Sequence, residues 1–345
     1  MKISLLFPLF CLACPGLSAA GQTPSKTAIN TRPPLSAQKA ASGNFRAIMA
    51  AARKNQAKTD TPAAPPPVPV FCILGGHSGK PFGDLAAFKS VIWKSDAIYA
   101  GEDPGPGTDR QALLEILKAM REARGSKIAV GFEALDMTLQ PVLDDYAAGK
   151  MSEEDFLQKT GWPKDPGADF ALYRPVFDFI IRNKLRALAL NVPKELILKI
   201  EREGPASLTD KDKRQFIPAQ INIGKQKKYL ELLKTSFKGT EAPDAAGPAW
   251  DNYLAAVSYR NEGEGAKIAD FINANRGWSV LVSAGNDRLI YNAAVPASVK
   301  SRTVKIRQAS FYAKAAAKCP DVLPAEDKDL ANYIWYTTTT VISGQ

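Results

Sequence analysis

"DAIYAGEDPGPGTDRQALLEILKAMREARGSKIAVGFEAL", residues 96–135, carries the signal that decides the fold. An apolar run, Ala97 to Ala100, delivers the chain into Gly101-Glu102, and a second run from Ile128 leads into Gly131-Phe132-Glu133. Between them Leu113, Leu114, Leu117 and Met120 recur at helical spacing, which puts them on one face of a helix. Strand, helix, strand is a crossover unit, and such a connection joins parallel strands.

The alternation continues on both sides. Upstream, VPVFCILGG reads as a buried strand and LAAFKSVIW as a helix. Downstream come helices near 138–148, 152–159 and 171–184, the strand LRALALN, the helix PKELILKIERE with Pro193 in its first turn, and the strand GWSVLVSAG. Residues 205–247 are polar and helical and end in a loop-like KGTEAPDAAGP. The fold class expected is therefore α/β, with a largely parallel sheet covered by helices on both faces. It occupies one domain, residues 69–340, without an internal repeat.

The segment before that domain has a different character. Residues 1–20, MKISLLFPLFCLACPGLSAA, have one lysine, an apolar run and a small-residue end, the pattern of a secretory signal peptide. Export to the periplasm or cell envelope is expected. Cleavage after Ala20 and lipidation of Cys14 are the two ways of processing it. No later run is long and apolar enough to span a bilayer. Residues 21–68 are rich in Pro and Ala, and seven basic residues face Asp60 alone within residues 21–69. That composition makes a disordered tether. It carries most of the net charge of +10, so the charge points to an anionic envelope or membrane surface, not to nucleic acid. Cys72 and Cys319 are expected to be buried and unpaired, since sequence alone does not bring two distant cysteines within about 7 Å.

In sheets of this kind ligands sit beyond the carboxyl ends of the strands. Four such ends carry polar residues: Glu102, Glu133, Asn191, and Asp287 with Arg288. They are expected to converge on one cleft, with Arg288 pairing a carboxylate. Two carboxylates held there can grip a cation or act as acid and base if one is desolvated. Each can equally well cap a helix or pair with a surface arginine. GGHSGK around His77 lacks the spacing of a phosphate loop, because Pro81 follows Lys80.

The order of GFEALDMTLQPVLDDYAAGKMSEEDFLQKTGW, DFALYRPVFDFI and LALNVPKEL, residues 131–162, 169–180 and 188–196, resembles the haem-binding uptake family of ChaN-like proteins in the Tiki superfamily. The resemblance covers about residues 70–340. It implies an α/β fold related to metal-dependent proteases and a role in haem or iron acquisition at the envelope, often as a lipoprotein. Two histidines of the family are replaced: Pro104 stands at the first position and Arg288 at the second. Asn332 stands where the family tends to be acidic. Proline offers no lone pair, and a guanidinium is a permanent cation.

The resemblance with these departures implies a binding protein for haem or a similar planar ligand, without catalytic residues and without a tightly held metal. A metal-dependent hydrolase of the Tiki type, or an interaction scaffold, is the alternative. His77 reads as a loop histidine before it reads as an iron ligand. Tyr99, Tyr173 and Tyr291 are the oxygen donors available to ferric haem, and Arg174 beside Tyr173 is a candidate partner for a propionate. The alternative for YRP is structural, with Pro175 in the first turn of its helix.

Overall fold

The computed structural model describes residues 70–82, 85–103, 108–162, 169–222, 226–238 and 247–338, all within the unit Pro67–Gln345. The signal peptide, the basic tether and Pro104 lie outside the described residues.

Seven strands form one sheet in the order β1-β7-β6-β2-β5-β3-β4. They are β1 (Val70–Gly75), β2 (Ala97–Glu102), β3 (Ile128–Asp136), β4 (Arg186–Asn191), β5 (Ser279–Gly285), β6 (Gln308–Ala315) and β7 (Tyr333–Thr338). Every neighbouring pair is parallel except β1 with β7. The parallel α/β architecture expected from the sequence is present, and it contains two features not read there. VFCILG is an antiparallel edge strand, and β6 and β7 extend the sheet after the last strand recognised by its apolar run.

Side chains alternate across the sheet as the pleat requires. On β2, Ile98 and Ala100 enter one core, while Ala97 and Tyr99 enter the other. The first core is closed by α1 (Leu85–Lys94), α2 (Thr108–Arg124), α3 (Gln140–Ala147), α4 (Glu153–Thr160) and α5 (Phe170–Asn183). Its centre is aromatic: Phe132 stacks on Phe177, and Tyr146 on Phe156, at centroid distances of 4.7 and 4.2 Å. Trp162 meets the ring of Tyr173 edge-on at 5.1 Å, which fixes where the Tyr173 hydroxyl points. Pro175 sits inside α5, not in its first turn. Position 175 therefore donates no helix hydrogen bond.

The opposite face is covered by α6 (Lys194–Glu203), α7 (Asp210–Phe216), α8 (Lys227–Lys238), α9 (Gly247–Ala274) and α10 (Val295–Arg302). The 28-residue α9 buries a polar stretch, Asn261-Glu262-Gly263-Glu264-Gly265. Its glycines are there for close approach. A methyl group at Gly263 would run into Val192, and one at Gly265 into Ser298. The helix backbone is thereby held against the end of β4 and against α10.

Cys72 and Cys319 form a disulfide, with Cα atoms 5.6 Å apart. This corrects the expectation of free, buried thiols. Their separation of 247 positions in the sequence hid the pairing, because only the finished sheet brings β1 beside the segment that follows β6.

Candidate functional site

β5 lies between β2 and β3, so the ends of β2 and β3 are two strand spacings apart, about 10 Å. Glu102 pairs in register with Gly285. From the other side, Glu133 accepts the Gly285 N–H through Oε2 at 2.8 Å. The sheet irregularity between Phe132 and Asp136 begins at this glutamate. Both carboxylates thus reach the end of β5, and each is matched with an arginine.

Around Arg288, which is only 4% exposed, three carboxylates gather. Nη2 lies 2.6 Å from Glu133 Oε1, Nη1 pairs with Asp287, and Nε is 3.5 Å from Glu264 Oε1. The last contact lacks hydrogen-bond geometry, and both of its atoms are otherwise unsatisfied. Burial pushes the Glu264 carboxyl up to about 8 against the pull of Arg288, with Glu133 adding to the rise. Glu264 is therefore largely a neutral acid at pH 7, which removes the cost of burying a third charge beside one guanidinium.

On the β2 side the cation is Arg110, in the first turn of α2. Its Nη2 lies 3.2 Å from Glu102 Oε2 and donates to the Tyr173 hydroxyl at 3.0 Å, while Nη1 pairs with Asp109. The Tyr173 hydroxyl in turn donates to Glu102 Oε2 at 2.7 Å. Ser283 on β5 donates to Glu102 Oε1. The guanidinium also stands over the Tyr173 ring at 5.0 Å. Burial pushes Asp109 up to about 6, opposed by Arg110 and reinforced by Glu102.

Glu102, Tyr173, Glu133, Asp287 and Arg288 therefore line the two sides of one strand end, and Arg288 pairs with Glu133. Asn191 closes β4 beside Asp136, with a buried Oδ1 that finds no hydrogen-bond partner. Arg174 lies apart from them. It pairs with Glu153 at 2.5 Å on the outer face of α5 and lies over Phe170. Adjacent helical residues point about 100° apart, so Tyr173 facing the sheet sends Arg174 to solvent. Arg110, Asp109 and Glu264 were missed by the sequence reading.

The tyrosines and the histidine lie elsewhere or are engaged. β1 is antiparallel, so His77 just past its end lies toward the amino-terminal edge of the parallel strands; it is 90% exposed and 2.8 Å from Asp329. Tyr99 is buried and bonds Gln308 at 2.5 Å. Tyr291 adopts a positive φ of 57° on a turn. Burial and the neighbouring Glu102 hold the Tyr173 hydroxyl well above its usual range. Asn332 bonds the backbone N–H of Ser310 at 3.0 Å. Among the described residues no imidazole or thiolate stands at the strand ends to ligate iron, the Tyr173 phenol there is bonded to Glu102, and both arginines are already matched with carboxylates. These strand-end side chains do not fit an iron-ligated haem. Among the described residues no three or more His, Cys, Asp or Glu side chains are placed so that together they could hold a metal ion.

An open α/β sheet with a cluster of paired charges at its strand ends defines the class. The family of haem-binding uptake proteins of the Tiki superfamily, ChaN, matches residues 90–299, and the chain belongs to it. Among solved structures, ChaN of Campylobacter jejuni, described as binding haem cofacially, aligns with a TM-score of 0.58 and 14% identity, over 78% of this chain and 97% of that one. At that identity the likeness shows the fold. The type III effector HopBA1 aligns at 7% identity over 72% of this chain and 91% of its own, and the erythromycin esterase EreC at 12% over 77% and 83%, each with a TM-score of 0.41. No curated protein matches the sequence.

Proposed function

We propose that this protein is an exported, envelope-located member of its family that holds a planar, haem-like ligand at the strand ends without ligating a metal there and without turning the ligand over. The observation that carries this reading is Arg288. A guanidinium stands where the family resemblance places a histidine, and Glu133 and Asp287 pair with it. A hydrolase of the Tiki type needs a metal-activated water, and the carboxylates that would receive the metal are matched with an internal cation instead. Export is supported by the Cys72–Cys319 disulfide, since such bonds persist in oxidising compartments. The basic tether, residues 21–68, is the part suited to an anionic envelope surface.

Haem titration tests the reading. The unmodified domain should give at most a small, broad Soret change, and Pro104→His with Arg288→His together should give a strong, saturable one. Either replacement alone should restore little, because one imidazole is an incomplete ligand set. Stoichiometric zinc, manganese or iron retained by the unmodified protein through dialysis would overturn it, as would a strong Soret shift in that protein.

A further inference from the structure

A concavity lies on the α9 face, apart from the Arg110 and Arg288 clusters. It is a groove of about 840 Å³ between α9 and the segment from α7 to Ile221, with Met137, just past the end of β3, at one side. Its size falls within the range of small-molecule sites, roughly 300–1,000 Å³. The apolar surface comes from Phe216, Ile221 and Tyr259, which pack only partly into the core beneath them. The charge comes from Lys213, Arg214 and Lys267.

Those three cations are what make the groove informative. Among the described residues none of them forms a salt bridge or a side-chain hydrogen bond. By contrast, Arg302, which also borders the groove, is engaged by Glu262 at 2.5 Å and by the Gln220 carbonyl at 2.6 Å. The one carboxylate in the lining is Asp270, so three unengaged cations face a single acid. Tyr259 and Lys267 are eight residues apart on α9 and so share a helix face, which sets an aromatic ring and an ammonium along the same wall. Apolar surface rimmed by unspent positive charge has one chemical complement.

We infer that this groove binds a small anionic amphiphile, an apolar body of acyl-chain size ending in a carboxylate or phosphate, whose head is taken by Lys213, Arg214 and Lys267 and whose body lies on Phe216, Ile221 and Tyr259. Lysine supplies a mobile point charge, and arginine a fork suited to either head. The inference stands independently of the strand-end reading, because none of these six residues touches Arg110 or Arg288, and its test uses neither haem nor metal.

The test is fluorescence titration of the whole protein with dansyl-undecanoate. The expected result is saturable binding of one equivalent, weakened at high ionic strength as a charge-guided contact must be. Dodecanoate and dodecyl phosphate should displace the probe, their relative strength showing which head the site prefers, and dodecanol should not. Lys213→Glu with Lys267→Glu should weaken probe binding at least tenfold. The salt dependence of the unmodified protein keeps the test decisive if that variant folds poorly. Absence of probe binding would overturn the inference. So would displacement by dodecanol as effective as by dodecanoate, or an affinity that neither salt nor the charge reversal changes.

Discussion

The two arginines at the end of β5 are set in different company. Arg110 belongs to a closed hydrogen-bonded circuit: Tyr173 and Ser283 both donate to Glu102, and Asp109 also accepts the Asp103 N–H at 2.9 Å. Arg288 instead pairs with Asp287 and Glu133 and stands beside a third carboxyl, with its Nε and Glu264 Oε1 left unsatisfied 3.5 Å apart. The Arg110 side ties Tyr173, Ser283 and the guanidinium to one carboxylate, Glu102; the Arg288 side gathers three carboxyl groups on one guanidinium and holds the third without hydrogen-bond geometry. Buried polar contacts left open are costly, and this difference in company puts the more acid-rich half of the cluster on the β3 and α9 side.

The comparison is broken most directly by removing the cations. Arg288→Met should destabilise the protein by about 3–5 kcal/mol, because Glu133 and Asp287 lose their common counter-ion. Arg110→Met should cost less, about 2–3 kcal/mol, since Tyr173 and Ser283 still serve Glu102. Denaturant unfolding of the two variants at pH 7 checks the order, and a greater loss from Arg110→Met would contradict it.

Titration sharpens the contrast. Glu264 is raised by burial from 4.5 to about 8, and Asp109 from 3.8 to about 6. The folded state therefore holds protons that the unfolded chain has released. The stability these acids allow is complete below about pH 4 and is lost as pH rises, through about 6 for Asp109 and about 8 for Glu264. The Glu264 part should amount to roughly 5 kcal/mol. Glu264→Gln should flatten the profile above pH 6 while leaving the lower step, and an unchanged slope between pH 6 and 8 would refute the assignment.

A control comes from the far edge of the sheet. Cleaving Cys72–Cys319 with a reductant should cost about 2–4 kcal/mol by releasing a very long loop in the unfolded chain. It should lower Tm without altering the pH slope. The smallest effect expected is that of Tyr173→Phe, about 1 kcal/mol, because Arg110 and Ser283 continue to hold Glu102. A loss of several kcal/mol would mean that the circuit depends on the phenol.

Much of this arrangement was legible in the sequence and some was not, for reasons of geometry. The strand ends at Glu102, Glu133 and Gly285 follow apolar runs, so their meeting could be read from periodicity. Arg174 adjoins Tyr173 in sequence but faces away from it, whereas Arg110, in a distant first helical turn, carries no local mark of burial. Glu264 lies in RNEGEGAK, whose glycines and charges are those of an exposed segment. Only the tight seating of α9 reverses that appearance. In β6, QASFYAKA is too weakly apolar to announce a strand, and it is held in place by its neighbours β2 and β7.

The paired glycines of α9 have a mechanical consequence. With Gly263 against Val192 and Gly265 against Ser298, the helix has no clearance on either flank of Glu264. Backbone contact, not side-chain flexibility, sets how far the acid projects toward Arg288. A single added methyl at either glycine would work as a shim, moving the carboxyl bodily along the guanidinium and retuning the cleft without changing any residue that lines it.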